Sequence, residues 1–386
     1  MTFIKRMKGI GAFGIDKTRL RNVPIVKINK KKIQSAIAKG VVTVVKTDDW
    51  RSKKSKDERR FFYDDTKEKI YIDSISIKDN DNKYFNYYKY TCRDGVKPKT
   101  GYIELTIGAF REDGINLIPL KVNEFHEMVK LVQLNLWEKY GIYIDISNAK
   151  FEELELNVTI LTDREFKNYG NILKVCYLNH TSYFEPDAPF FYKDGETSSL
   201  RLHNKYLQLL IYNKKYQLEK QGIVLDAGVN IMRIEYKFKE NKPIIKNFGN
   251  ITIWEFTDDM IKEFLEKRIK LDITNRVNEF IKKTDIYIRK KFREDKKTGK
   301  IKPQRILEYV NENIYLGDKD GIFLNYIFDI EQLYKTIYEF NKDKYKANRS
   351  IERIEKSKMN KDCYENKKNN LVCHNEITNK INKILK

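Results

Sequence analysis

Residues 206–220 (YLQLLIYNKKYQLEK) and 230–239 (NIMRIEYKFK) together decide the fold class. Apolar side chains alternate along residues 206–212, as they do in a half-buried strand, and the charged run that follows predicts a short helix closed by Gly222. Residues 230–239 alternate apolar with charged side chains and predict a second strand. A strand, a short helix and a strand in this order indicate a sheet backed by helices.

The flanking sequence extends this pattern. Alternation predicts strands and helical spacing of apolar residues predicts helices over residues 101–110, 123–140, 151–161, 163–178 and 199–203. The resulting order, β-α-β-α-β-β-α-β, resembles an RRM-like or split-βαβ palm, a mainly antiparallel sheet with helices on it. The predicted fold class is therefore α+β.

Composition shifts along the chain predict four segments. Residues 1–100 are read as a basic, β-rich N-terminal module, and residues 101–250 as the palm. Long helical patterns then predict a helical domain over residues 251–340. Residues 341–386 are rich in Lys and Asn with little periodicity, which favours a basic flexible tail or a frayed helix.

The charge balance gives the first indication of function. The 386 residues include 76 Lys and Arg against 55 Asp and Glu, a formal net charge of +21. Such a chain repels itself, so a polyanionic partner is a common explanation, with codon bias toward Lys as the alternative. Long apolar runs, a signal peptide and a CxxC motif are all absent from the sequence, which predicts a soluble intracellular protein without a membrane partner.

Common catalytic motifs are also absent. The sequence has no GxxxxGK[ST], no HExxH and no GxSxG. Their absence disfavours nucleotide hydrolysis by a P-loop, zinc-dependent proteolysis and the α/β-hydrolase route.

Two predicted strands carry carboxylates at sheet spacing. Glu153, Glu155 and Asn157 share one face of the first strand, and Arg233 and Glu235 share one face of the second. Acids that meet within one sheet repel unless a positive charge lies between them, and hard oxygen ligands select Mg²⁺ or Mn²⁺. The alternative is that both faces are simply exposed to solvent.

Tyr212 lies where an apolar strand becomes a basic helix. Lys214 and Lys215 follow it, and nearby ammonium groups favour the phenolate form of a tyrosine, which makes it a better nucleophile. Tyr216, about one helical turn further on, is a rival nucleophile. The alternative is an ordinary core or surface aromatic residue.

Further basic pairs are candidate phosphate contacts. Lys53 and Lys54 belong to a highly charged stretch, residues 50–60, and Lys290 and Lys291 to the helical region. Residues 84–91 (YFNYYKYT) interleave aromatic side chains with a lysine and could stack bases, although the face of an ordinary sheet would look the same.

Residues 211–215 (IYNKK) and 232–236 (MRIEY), with the acidic strand at 155–157, resemble the Rep_trans family of rolling-circle replication initiators. That family belongs to Gram-positive plasmids, conjugative elements and phages, and is related to the gene-II-type proteins of filamentous phages. The likeness extends over residues 100–245. Residues 13–17 (FGIDK) are similar to the family's N-terminal opening.

The resemblance implies a role for each matched position. Tyr212 would attack a DNA phosphodiester, remain joined to the 5′-phosphate and release a 3′-hydroxyl. Glu155 and Glu235, with Asn157, would hold Mg²⁺ or Mn²⁺. The first acidic strand departs from the family's Arg-x-Asp-x-x-x-Asp, since residues 153–157 read ELELN, so the ligands there are not fixed by the motif.

The resemblance also implies the remaining partners. Lys214 and Arg233, together with Asn157, would orient or neutralise phosphate oxygens. The expected substrates are double-stranded origin DNA and single-stranded DNA, with a host helicase as a partner and a homodimer as an assembly compatible with the family. The alternatives are a conjugative relaxase with the same chemistry and a nucleic-acid-binding protein that does not cleave.

Overall fold

The computed structural model confirms an α+β chain with a large, mainly antiparallel sheet. It describes residues 11–45, 61–63, 69–71, 74–79, 85–91, 101–105, 117–178, 180–187, 190–191, 197–223, 225, 228–280, 282, 297, 345, 348–349 and 358–386.

Fifteen strands lie within the described part of the chain. They are β1 (Gly11–Arg21), β2 (Ile25–Ile28), β3 (Val42–Val45), β4 (Phe61–Tyr63), β5 (Lys69–Tyr71), β6 (Ser74–Lys78), β7 (Phe85–Thr91), β8 (Gly101–Leu105), β9 (Ile142–Ile144), β10 (Lys150–Thr162), β11 (Glu185–Pro186), β12 (Phe190–Phe191), β13 (Thr197–His203), β14 (Leu207–Asn213) and β15 (Asn230–Phe238).

The α-helices among the described residues are α1 (Lys30–Ala38), α2 (Val122–Tyr140), α3 (Gly170–Leu178), α4 (Lys214–Lys220), α5 (Asn241–Phe248), α6 (Asp258–Ile269) and α7 (Lys358–Leu385). Short 3₁₀ turns precede α3 and α6, and a π-helical turn over Lys270–Thr274 follows α6.

Two sheets are formed by these strands. The larger has the order β11-β13-β14-β15-β10-β1-β8-β7-β6-β3, with β12 paired to β13, and the smaller has the order β5-β4-β2-β9. The pairs β1–β8, β8–β7, β7–β6 and β6–β3 are antiparallel. Strand β1, near the start of the sequence, thus pairs inside the large sheet between β8 and β10.

The chain divides into two compact units. The first comprises Met1–Thr159, His203–Leu209 and Ile234–Leu265, and the second comprises Ile160–Leu202, Leu210–Arg233 and Glu266–Lys386. Neither unit is one continuous stretch of sequence. The four-segment division predicted from composition remains a prediction.

Aromatic residues form the core beside the acidic strands in the first unit. Phe151 of β10 stacks on Phe125 of α2 with ring centroids 5.7 Å apart, and contacts Phe256 at 5.0 Å. On β15, Phe238 contacts Phe248 of α5 and Phe264 of α6. Burying such large rings on one face of these strands fixes their register, because a shift by one residue would expose them.

Three aromatic side chains of the predicted base-stacking run at residues 84–91 belong to the core. Phe85, Tyr88 and Tyr90 of β7 are fully buried, and the Tyr88 hydroxyl donates to the Val23 carbonyl oxygen. These rings alternate with Lys89 as the two faces of a strand alternate, which is why the sequence pattern could not separate core packing from base stacking. Buried rings cannot stack on a ligand's bases.

Within residues 341–386, where the sequence favoured a flexible tail or a frayed helix, the structure describes a helix over Lys358–Leu385. This helix is α7, in which Ile377, Ile381 and Leu385 are buried at helical spacing within the second unit. The buried Glu376 carboxylate accepts hydrogen bonds from the Tyr169 hydroxyl and the Asp163 backbone N–H. The apolar stripe was not recognised in the sequence, because it is narrow and the other faces of α7 carry many Lys and Asn residues.

No helix among the described residues is both long and apolar enough to cross a membrane.

Candidate metal centre and candidate nucleophile

Strand β10 separates apolar and polar side chains onto its two faces. Leu154, Leu156 and Val158 are fully buried, whereas Glu153 and Glu155 lie on the alternating positions and are only partly buried. Burial of Leu154, Leu156 and Val158 therefore directs Glu153 and Glu155 to the opposite face of this part of β10.

Three carboxylates converge beside this face within the first unit. Asp16 of β1, Glu155 of β10 and Glu235 of β15 each have a carboxylate oxygen within 4.8 Å of the others'. Asp16 is 4% exposed and Glu235 is 9% exposed. The structure therefore brings together the two glutamates that were predicted as metal ligands and adds a third carboxylate.

Lys237 provides a positive charge at the cluster. Its Nζ lies 2.7 Å from the Glu155 Oε1 and 4.0 Å from the Glu153 Oε2. Lys237 follows Glu235 by two residues on β15, so both side chains leave the strand on the same face.

The charges of this cluster shift one another's protonation. Burial raises the pKa of the Glu155 carboxyl, and the nearby Asp16 carboxylate raises it further, while the hydrogen bond from Lys237 opposes both. Burial would lower the pKa of Lys237, but its hydrogen bond to Glu155 and the charges of Glu155, Glu153 and Glu235 raise it. Lys237 is therefore protonated at neutral pH.

A basic rim lies next to the cluster in the same unit. Arg19 bridges Glu153, at 2.7 Å, and Glu104, at 3.2 Å, and Lys17 contacts Glu104 at 2.7 Å. The side chains of Arg19 and Lys17 are about 40% exposed, so both cations can also reach solvent. An anionic ligand approaching the carboxylates would meet these cations.

Asn157 has a free donor beside the cluster. Its side chain is fully buried, its Oδ1 accepts a hydrogen bond from the Thr159 hydroxyl, and its Nδ2 has no hydrogen-bond partner. Of the two groups of the Asn157 amide, only the oxygen can bind a cation, and only the N–H₂ group can donate a hydrogen bond to a phosphate. The Oδ1 atom keeps a second lone pair, so the bonding leaves both roles that the resemblance implied open, and the complete burial of Asn157 makes it a poor first contact for a phosphate.

Tyr212, the candidate nucleophile, belongs to the second unit. It lies near the end of β14, on the face opposite the buried Leu209 and Ile211, and is partly exposed. Asn213 caps α4, since its side-chain oxygen accepts from the Tyr216 N–H. The sequence Tyr-Asn thus ends a strand and starts a helix within two residues, which holds Tyr212 at a rigid junction.

The neighbouring candidates differ in exposure. Lys214 is 3% exposed and donates to the Gln217 side chain, whereas Lys215 is partly exposed. Tyr216, the rival nucleophile, is 37% exposed with the Lys220 ammonium 4.5 Å from its ring centroid. Burial makes Lys214 a poorer first contact for a phosphate than Lys215.

Arg233 of β15 is fully buried in the second unit. The other four predicted DNA contacts, Lys53, Lys54, Lys290 and Lys291, lie outside the described residues. Their proposed role stays a prediction.

Two residues of the cluster were not predicted from the sequence as site residues, and each had a signal. Asp16 stands inside the FGIDK opening, as a single acid between apolar and basic neighbours. Lys237 continues the period-two series of Arg233 and Glu235 on one strand face. What the sequence lacked was the pairing order that brings β1 beside β10.

The fold and the site define an α+β protein with three converging carboxylates on one sheet and a partly exposed tyrosine at a strand-to-helix junction. No protein-family model matches the chain, and no curated protein is detectably similar to it.

Proposed function

We propose that this chain is a rolling-circle replication initiator that binds an origin, nicks one DNA strand and rejoins it through a covalent 5′-phosphotyrosine. In this proposal residues 101–250 form an RRM-like palm, joined at the metal site by Asp16, and either the basic N-terminal module or the helical C-terminal domain over residues 251–340 binds the origin. The protein acts in the cytoplasm of a bacterial host, on double-stranded and single-stranded DNA, alongside a host helicase.

The convergence of Asp16, Glu155 and Glu235 is the observation that carries the proposal. The two glutamates were singled out by short motifs that lie far apart in the sequence, and Asp16 belongs to a third motif of the same resemblance. Three independent motifs that meet within 4.8 Å favour a shared site over three chance likenesses.

The three carboxylates fit a divalent cation by their chemistry. They offer hard oxygen atoms in a largely buried setting, which is the donor set that Mg²⁺ and Mn²⁺ prefer. Burial raises the pKa of the Glu155 carboxyl, and the hydrogen bond from Lys237 does not cancel that increase. A bound cation would polarise the scissile phosphate and stabilise the charge that develops on it.

The protein's own side chains perform the remaining steps. The Tyr212 oxygen attacks the phosphorus atom, a phosphorus–oxygen bond to tyrosine forms, and the bond to the 3′-oxygen breaks. The tyrosine proton leaves to solvent, and the released 3′-oxygen takes up a proton. In this proposal Lys215 and the rim cations Lys17 and Arg19, which are all partly exposed, would bind phosphate oxygens. The reaction exchanges a DNA phosphodiester for a tyrosyl phosphodiester, so it needs no energy from a nucleoside triphosphate.

Cleavage of supercoiled plasmid tests the proposal. Full-length protein is incubated with plasmid carrying the replication origin of its own replicon and Mn²⁺, and the products are run on a denaturing gel. We expect nicked DNA with protein attached, and its loss in Tyr212→Phe, because the attacking oxygen is absent. Tyr216→Phe is the matched control and should retain cleavage. Cleavage that persists in Tyr212→Phe and disappears in Tyr216→Phe would assign the nucleophile to Tyr216.

The second candidate function is nucleic-acid binding without cleavage. The 2.7 Å pair between Lys237 and Glu155 favours it, because an ammonium group can neutralise clustered carboxylates without any ion. Normal DNA binding with no covalent product under any cation would support this candidate. A conjugative relaxase with the same chemistry would differ only in acting at a transfer origin.

A further inference from the structure

An exposed aromatic surface with two lysines lies in the first unit, on the small sheet. We call it the Trp137 face, and define it by Val26, Lys27, Lys32, Trp137 and Tyr143. Val26 is 54% exposed and Tyr143 is 41% exposed. Large apolar side chains exposed side by side are a recurrent mark of a binding surface.

A bulge in β2 creates this face. Ile25 pairs with Ile144 of β9, and Lys27 pairs with Tyr143. Val26 is therefore an extra residue that has no pairing partner on β9. Because of this extra residue, Val26 and Lys27 are both exposed instead of alternating between two faces. Lys27 consequently stands directly opposite Tyr143 on the neighbouring strand.

The two lysines surround the indole ring of Trp137. The Lys27 and Lys32 ammonium groups lie 5.1 Å and 5.7 Å from the ring centroid, and the Tyr143 ring meets Trp137 edge-on at 6.2 Å. Both rings are partly open to solvent, unlike the buried rings of β7. Aromatic faces next to cations are the elements with which proteins hold single-stranded nucleic acids.

The charge around the face selects a polyanion. Lys30, Lys31 and Lys32 occupy the first turn of α1, which contains no acidic residue. Cations at a helix N-terminus are unfavourable because they repel the positive end of the helix dipole, and an anionic ligand relieves this repulsion. Glu138 lies 3.4 Å from the Lys32 ammonium group and reduces the positive charge there.

We propose that the Trp137 face binds single-stranded DNA. Bases stack on Trp137 and Tyr143, and Lys27 and Lys32 bind the adjoining phosphates. The proposed function enters only in the choice of DNA over RNA. The surface itself requires neither Tyr212 nor the carboxylate cluster.

A second copy of this chain is the rival occupant, since β9 is the edge strand of the small sheet. Pairing two copies there would bring Lys27 and Lys32 of each toward the other, in a chain that already carries a net charge of +21. Charge complementarity therefore favours the nucleic acid.

The test is the binding of fluorescein-labelled (dT)₂₀ to the full chain, followed by anisotropy. Tyr143→Ser and Trp137→Leu should each weaken binding by about fivefold to a hundredfold, the range that removal of one stacking ring produces. The double variant Lys27→Gln, Lys32→Gln should lower the slope of log affinity against log salt by about 1.4, or about 0.7 per phosphate contact.

Lys130→Gln is the matched control. Lys130 lies on α2, the helix that carries Trp137, and its ammonium group lies 5.8 Å from the ring centroid of Trp254. It therefore forms the same kind of cation–aromatic pair outside the Trp137 face. The indole N–H of Trp254 donates to the Ile146 carbonyl oxygen. Lys130→Gln should leave affinity for (dT)₂₀ nearly unchanged apart from a small loss of salt slope. Thermal melting shows which variants remain folded, and the lysine variants, being on the surface, keep the test informative if Trp137→Leu unfolds.

Three results would overturn the proposal. They are unchanged (dT)₂₀ binding in folded variants of the face, binding of (rU)₂₀ more than tenfold tighter than (dT)₂₀, and self-association in sedimentation that the Tyr143→Ser variant abolishes. The outcome is separable from that of the proposed function. Loss of nicking in Tyr212→Phe with normal (dT)₂₀ binding concerns only the nucleophile, and unchanged nicking with lost (dT)₂₀ binding concerns only this face.

Discussion

Lys237 is the residue that most directly separates a metal centre from a self-neutralised cluster. Its ammonium group lies 2.7 Å from a Glu155 oxygen, so a cation bound by Glu155 would be placed close to a like charge. We expect Lys237→Gln to tighten Mn²⁺ binding by about tenfold, since two charges about 4 Å apart repel by roughly 1 to 4 kcal/mol near a protein surface. Titration calorimetry with Mn²⁺ measures it.

Glu153→Gln is the matched control for Lys237→Gln. Glu153 lies on the same strand and pairs with Arg19 at 2.7 Å, but its carboxylate is outside the three-residue cluster. It should change Mn²⁺ affinity by less than about threefold. Failure of the wild-type chain to bind Mn²⁺, together with loss of stability in Lys237→Gln, would mean that the lysine alone neutralises the carboxylates.

Glu155 predicts a pH dependence with a definite sign. Its pKa is raised in the folded protein, mainly by burial, so the folded state holds this proton more tightly than the unfolded chain does. The contribution of Glu155 to the free energy of unfolding is therefore greatest below its unfolded pKa and declines as pH rises through the raised value. Urea unfolding of the cation-free protein from pH 4 to 8 should show this decline, and Glu155→Gln should flatten it.

Cation binding should have the opposite dependence on pH. Mn²⁺ binds the deprotonated carboxylate, so its affinity should begin to fall at a pH above the usual glutamate pKa of about 4.3. If Mn²⁺ affinity is level down to pH 4.5, Glu155 is not a ligand.

Gly141 connects two elements of the Trp137 face, the helix α2 and the strand β9. It ends α2 in the left-handed region, with φ of 68°, and a Cβ there would lie 2.7 Å from the Lys32 Cβ and 2.9 Å from the Asn29 carbonyl oxygen. Gly141 thus closes the helix that carries Trp137, allows α1 to approach, and leads directly into the strand that carries Tyr143.

We expect Gly141→Ala to destabilise the protein by about 3 kcal/mol, from backbone strain of about 1–2 kcal/mol plus overpacking. Gly40→Ala is the matched control in the same unit, with φ of 72° and nothing within 4 Å of its Cβ, so it should show the strain alone. Urea unfolding measures both changes. Equal losses in the two variants would show that α1 moves aside without cost.

Local patterns predicted the secondary structure near the site and two of its three carboxylates, Glu155 and Glu235, but not the third. The predicted helix at 123–140 is α2, and the predicted strand at 230–239 is β15, because apolar periodicity and glycine stops act over a few residues. Asp16 joined the cluster only through the pairing order of distant strands, which no local pattern records. The Trp137 face likewise depends on a bulge that a four-residue strand does not reveal in its sequence.

The net charge of the whole chain should determine DNA affinity, whereas a bound cation should determine cleavage, so the two can be measured separately. A chain of net charge +21 that neutralises six to ten phosphates should lose about 10³ to 10⁵ in duplex affinity between 50 and 200 mM salt. The carboxylate cluster contributes negative charge, so it opposes this binding unless a cation occupies it. Chelation with EDTA should therefore abolish covalent cleavage while changing duplex affinity by less than about tenfold. Anisotropy with origin duplex and the denaturing gel, run on the same samples, measure both quantities. A salt slope near zero would assign the basic composition to codon bias, and cleavage that survives EDTA would remove the cation from the proposed reaction.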